Sequence, residues 1–139
     1  QAAREELTSF DFTTMLELFD HLDPETCRKA GELILKIHPD CSEKMCRELA
    51  SPIRRKRIRA ARACRLMGLH EHVVPALLVM LDDSDTLVRR TALEVLEGIR
   101  RPEVVAAVRR LADDPSPRVR ETAGKTLRSL EPASGNLSG

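Results

Sequence analysis

The side chains best suited to chemistry in this chain are few and scattered. His70-Glu71-His72 sets two imidazoles beside one carboxylate, residue types that hold divalent metal ions. One such cluster supplies too few ligands for a metal pair, and the two histidines read as the start of a helix just after Gly68. Four cysteines stand at 27, 41, 46 and 64. Cys41 and Cys46 with His38 do not follow a Cys-x-x-Cys spacing, and there is no second pair of that kind. The cysteines read as reduced, small and mostly buried, which fits a cytoplasmic protein. No Gly-x-Ser-x-Gly, Gly-rich phosphate loop or Ser-His-Asp order occurs. The chain therefore reads as no enzyme, with no cofactor and no metal.

Charge gives a second candidate. The segment 52–69 holds Arg54, Arg55, Lys56, Arg57, Arg59, Arg62 and Arg65, with no acidic residue from 51 to 70. Arg55, Arg59 and Arg62 share one helical face and could meet phosphates or an acidic protein strip. The alternative is a solvated face balanced by Asp11, Glu17, Asp20, Asp23 and Glu25. Net charge is only +1, so any electrostatic recognition must be local. With three Phe, no Tyr and no Trp, the chain is poor in the aromatics that base-stacking platforms and aromatic cages are built from. No apolar run is long enough for a membrane span.

The elements that must position these groups follow from an internal period. Ala30, Ala61, Ala92 and Ala123 lie 31 residues apart. Two more apolar columns keep the same step: Leu18, Leu49, Met80, Leu111, and Met15, Cys46, Leu77, Val108. One helix type carries stripes such as Ala30, Ile34, Ile37 and Ala92, Leu96, Ile99, at i, i+4, i+7. The other carries i, i+3 pairs. Asp23-Pro24, His38-Pro39, Ser51-Pro52, Arg101-Pro102 and Ser116-Pro117 mark helix boundaries. The pattern predicts helices over 11–22, 24–37, 41–50, 52–69, 71–82, 86–100, 102–112 and 117–131. Single hairpins cannot bury all their apolar faces, so they must stack. In strict register Arg65 takes the Ile34 position, and the alternative face of Ile53, Ala60, Cys64 and Met67 implies that helix 52–69 rotates or bends.

The last two units resemble a known family. Asp82-Asp83-Ser84-Asp85-Thr86-Leu87-Val88-Arg89-Arg90-Thr91-Ala92 and Asp113-Asp114-Pro115-Ser116-Pro117-Arg118-Val119-Arg120-Glu121-Thr122-Ala123 look like the D-x-x-x-x-V-R-x-x-A pattern of short bacterial HEAT-like repeats, the type found in phycobilisome-lyase relatives. Val73-Val74-Pro75-Ala76-Leu77-Leu78 resembles the second helix of such a unit. The resemblance implies an all-α fold, a right-handed α-α superhelix of about four hairpins, that is, a HEAT-like solenoid. It also implies an Asp/Arg ladder between adjacent repeats, with Asp83 and Arg89, and Asp114 and Arg120, as the matching residues. The Asp would cap amides and the Arg would bridge repeats. Repeat 24–50 has Thr26-Cys27 where Val-Arg would stand, and repeat 52–82 lacks the Asp. HEAT-like di-iron hydroxylases distribute several His-Glu pairs over their repeats, and this chain has one. Second helices usually line the concave side, which points to Lys44, Arg47, His72, Val79, Arg109 and Arg110 for partner contact.

The resemblance thus implies a protein-protein interaction scaffold for an unidentified partner, with nucleic acid or another polyanion on helix 52–69 as the alternative. Residues 1–131 read as the repeat domain and the small, polar 132–139 as a disordered tail. By phase, Met15 and Leu18 belong to the second helix of an earlier hairpin. Either the array continues before residue 1, which the phase favours, or 1–10 is a divergent cap.

Overall fold

Prolines and short polar side chains set where the helices begin. The computed structural model describes residues 21–131, and all regular structure among them is helical. The helices are α1 Pro24–Ile37, α2 Cys41–Leu49, α3 Arg54–Met67, α4 Val74–Met80, α5 Thr86–Val95, α6 Pro102–Arg110 and α7 Pro117–Leu130. Short 3-10 turns cover His70–Val73 and Leu111–Asp113. Asp23 accepts the Thr26 N–H, Asp85 accepts those of Leu87 and Val88, and Ser116 accepts that of Val119. Each bond satisfies an amide that a helix start leaves without a partner. At α3 the N-cap is Ile53, which has no side-chain acceptor to offer.

The helices form two layers. α1, α3, α5 and α7 pack side by side in one, and α2, α4 and α6 follow each other in the second. Each second-layer helix also packs against the first-layer helix that follows it: α2 on α3, α4 on α5, α6 on α7. One continuous apolar core runs between the layers, with Met45, Leu49, Met67, Leu77, Leu81, Leu93 and Leu96 fully buried. The small and aliphatic composition suits this, because helices stacked repeatedly need side chains of similar, modest size.

Several expectations need correction. The N-caps Asp23, Ile53, Asp85 and Ser116 lie 30, 32 and 31 residues apart, so the strict period slips by one residue at α3. Ala60, Cys64 and Met67 thereby take the buried stripe, while Arg65 turns outward. Ile53, grouped with that stripe, is instead half exposed because it precedes the helix. In α1 the buried residues are Cys27 and Gly31, and Ile37 is 66% exposed. The cause is close packing: a Cβ on Gly31 would stand 2.1 Å from the Met67 carbonyl oxygen. That line of contact puts Leu33 and Ile37 on the outer side.

Helix ends also differ. Gly68, at φ 73°, stops α3 short of residue 69, and Leu69 N–H returns to the Cys64 carbonyl. The segment 71–82 becomes a 3-10 turn followed by α4, and 86–100 ends its α-helix at Val95, before Gly98 at φ 83°. The helix 41–50 closes at Leu49, 102–112 gives way to a 3-10 turn at Leu111, and 117–131 ends at Leu130. The helix placed at 11–22 lies almost wholly outside the described residues; His21 and Leu22 form a turn and a bend. The possible cap 1–10 and the tail 132–139 also lie outside them.

Candidate interaction surfaces and the inter-repeat ladder

The ladder joins successive first-layer helices. Arg89 on α5 makes a two-pronged contact with the Asp114 carboxylate of the next unit, at 2.9 and 3.0 Å. These side chains are only 13% and 5% exposed. One step earlier, Arg57 Nε on α3 lies 3.0 Å from Asp83 Oδ2. Within its own unit each arginine reaches backbone: Arg57 to the Ser51 carbonyl, Arg89 to that of Asp83, Arg120 to that of Asp114. The carboxylates also close their own turns, Asp83 accepting Asp85 N–H and Asp114 accepting Ser116 N–H. The roles expected of Asp83 with Arg89 and of Asp114 with Arg120 divide accordingly: each aspartate accepts a turn amide, and Arg89 bridges to the next unit. Arg meets its own unit's carbonyl and the following unit's carboxylate. Arg57 is the rung member that sequence spacing passed over.

Electrostatics follows from this geometry. Burial pushes the Asp114 carboxyl upward, but bonds from Arg89 and Ser116 N–H and the charges of Arg89 and Arg120 outweigh it, holding it below the ordinary carboxylate value. Asp85 behaves likewise: burial raises it, while Arg54 and the Val88 and Leu87 amides lower it further. Burial in the core pushes the Cys64 thiol well up, so it is inert as a nucleophile at neutral pH. Of the other cysteines, Cys27 and Cys41 are buried and Cys46 is half-buried.

The basic helix is divided between structure and solvent. Arg54 pairs with Asp85, Arg57 forms a rung, and Arg65 donates to the carbonyls of Glu94, Val95 and Glu97 at the end of α5. Of the three residues placed on one face, Arg55 and Arg62 are exposed and Arg59 is half-buried. Arg62 lines a groove described below; Arg55 and Arg59 do not.

Two depressions stand out among the described residues. On the second layer, a depression of about 400 Å³ between α4 and α6 is lined by Leu78, Val79, Ala106 and Ala107, with Asp82, Glu103 and Arg110 around it. Val79 is 70% exposed. It also borders a smaller hollow of about 310 Å³ toward Leu49 and Pro52. Of the proposed contact residues, this depression gathers Val79 and Arg110. Lys44 on α2 is half-buried and pairs with Asp40; Arg47, His72 and Arg109 are exposed and stand outside it.

On the first layer, a groove of about 640 Å³ crosses α3, α5 and α7. Arg62, Arg65, Arg90, Arg118 and Lys125 line it with Glu94, Glu97 and Glu121, over Leu66, Val95 and three threonines. Sequence reasoning missed this groove. Its signal was a polar column beside the alanine one, Thr91-Ala92 and Thr122-Ala123 at the 31-residue step.

No three His, Cys, Asp or Glu side chains gather as a metal site among the described residues. His70 is half-buried and His72 exposed within one 3-10 turn, and Glu71 faces solvent. That donor set does not fit a metal pair. No helix among the described residues is long and apolar enough to cross a membrane.

Comparison with known proteins points the same way as the layered hairpins. Residues 74–135 match the family model of HEAT repeats, which supports a HEAT-like repeat protein. A deoxyhypusine hydroxylase from Gallus gallus is similar to this chain, 36% identical over 104 residues. The alignment covers 73% of this chain and 31% of the relative, so the chain spans about a third of that protein's length. No solved structure matches significantly.

Proposed function

We propose that this chain is a non-catalytic scaffold that binds a protein partner through its second-helix layer. Val79 carries the reading. A valine 70% exposed beside Leu78, Ala106 and Ala107, ringed by Asp82, Glu103 and Arg110, has an apolar centre and a charged rim. That is the anatomy of a protein-binding patch. Lys44, Arg47, His72 and Arg109 belong to the same layer without lining the depression. In the finer form of the reading, the hairpins wind as a right-handed superhelix of the phycobilisome-lyase type with this layer concave. It works in a bacterial cytoplasm and needs no cofactor.

Photo-cross-linking tests this reading. A benzophenone amino acid at position 79, in the source cell, is expected to give a discrete protein adduct that Arg110→Glu diminishes. A probe at exposed Lys36 on α1, which lines neither this depression nor the first-layer groove, is the control. Equal adducts from both positions, or none from position 79, would overturn the reading. The enzymatic alternative suggested by the hydroxylase relative has its own test. A stoichiometric metal in the purified protein would contradict the non-catalytic reading. Polyanion binding by Arg55, Arg59 and Arg62 stays second. The exposure of Arg55 and Arg62 supports it, and the use of Arg54, Arg57 and Arg65 by neighbouring units weakens it.

A further inference from the structure

We propose that the groove across α3, α5 and α7 binds an acidic, amphipathic peptide segment of a partner protein. This rests on the scaffold reading and adds a second surface, on the layer opposite Val79. Floor and rim differ in chemistry. Leu66 and Val95 are apolar. The hydroxyls of Thr91 and Thr126 donate to the Leu87 and Leu93 carbonyls at 2.7 and 2.9 Å. With those hydroxyls turned into backbone and both residues buried, the threonines add little polarity to the floor, and Leu66 is its accessible apolar side chain.

Apart from Arg65, the rim carries cations that no described neighbour engages. Arg62, Arg90, Arg118 and Lys125 come from three helices, and none makes an ion pair or side-chain hydrogen bond with a described residue. Arg54, Arg57, Arg65 and Arg89, by contrast, are all engaged between units. Arg90 is half-buried, and its Nε is enclosed without a hydrogen-bond partner. A buried donor left unmade is destabilising, and an entering carboxylate relieves it by drawing the guanidinium into a charge-assisted pair.

The carboxylates decide the ligand class. Glu94, Glu97 and Glu121 stand among the cations. A nucleic acid would set phosphates against all three, with no Tyr or Trp in the chain to stack its bases. A peptide can place its carboxylates opposite the arginines and its apolar side chains on the floor. Three packed helices at axis separations of about 9 Å give a groove roughly 20 Å long. That length suits a helical segment of about twelve residues, at about 1.5 Å per residue.

The test uses the full chain and a fluorescent helical peptide of Glu and Leu, about twelve residues long. A Lys/Leu peptide and an oligothymidylate of matching length are controls, all read by anisotropy at low salt. The Glu/Leu peptide is expected to bind best. Arg118→Glu with Lys125→Glu, both exposed positions, is expected to weaken it by roughly tenfold or more, while Val79→Glu leaves it unchanged. Arg90→Gln should weaken it with the circular dichroism intact. The proposal falls if none of the probes binds, if either control binds as tightly, or if the Arg118/Lys125 variant binds as wild type does. If Val79→Glu alone removes binding, the peptide belongs to the second layer: the groove proposal falls and the scaffold reading stands.

Discussion

The joint between α1 and α3 and the joints between α3, α5 and α7 solve one packing problem in two ways. Arg57, Arg89 and Arg120 each stand four residues after an N-cap, and so does Cys27. Ser51, Asp83 and Asp114 each stand two before one. The later joints thus hold the rungs Arg57–Asp83 and Arg89–Asp114. At the first joint both members are replaced, the arginine by buried Cys27 and the aspartate by Ser51. Ser51 keeps the turn, accepting Ile53 N–H at 3.1 Å. A half-buried charge without its partner costs more than losing the whole pair, so the rung is absent as a unit. Close backbone approach at Gly31 takes its place.

This contrast can be broken from either side. The largest loss is expected for Asp114→Ala, which leaves Arg89 enclosed and opens the turn before α7. About 3–5 kcal/mol should go, measured by urea unfolding. Asp114→Asn, which keeps the turn acceptor, should lose less. Gly31→Ala comes next, at about 1–3 kcal/mol, because the new methyl meets backbone that cannot step aside. A loss as small as a surface substitution would show that α1 does not sit against Met67 as described.

Rebuilding the missing rung sharpens the comparison. Cys27→Arg and Ser51→Asp should each destabilise alone, and the double variant should recover about 1–2 kcal/mol relative to their sum. Strict additivity would mean the positions do not face each other. The smallest effect concerns acid. Asp114 titrates below its ordinary value of 3.8 in the folded chain, so its contribution is complete above that value and fades as pH falls through the folded one. Thermal melts between about pH 5 and 2 should therefore decline less steeply in Asp114→Asn than in wild type.

Helix type, most boundaries and the two families of buried columns were legible in the sequence, because apolar spacing and proline placement act locally. Arg65 on the Ile34 position betrayed a loss of register at α3, but the helix's own alanines masked the direction of the slip. Ala60 and Ala61 are both fully buried, so the 31-residue column still lands on an alanine after the register has moved. Counting 31 back from Arg89 likewise lands on Ile58, and the true rung member is Arg57. In α1 the contact is made by a residue with no side chain, which a search for apolar stripes passes over in favour of Ile37. The first-layer groove escaped because its residues are polar, and polar residues on a helix read as solvated until neighbouring helices are in place.

Scaffold and polyanion binder differ most sharply in one measurement, a salt titration of binding to a mixed-sequence DNA duplex and a single-stranded RNA. Phosphate contacts are strongest at low salt, so the scaffold account predicts no measurable binding even at about 50 mM. Tight binding there, lost steeply as salt rises and abolished by Arg55→Glu, Arg59→Glu and Arg62→Glu together, would contradict it.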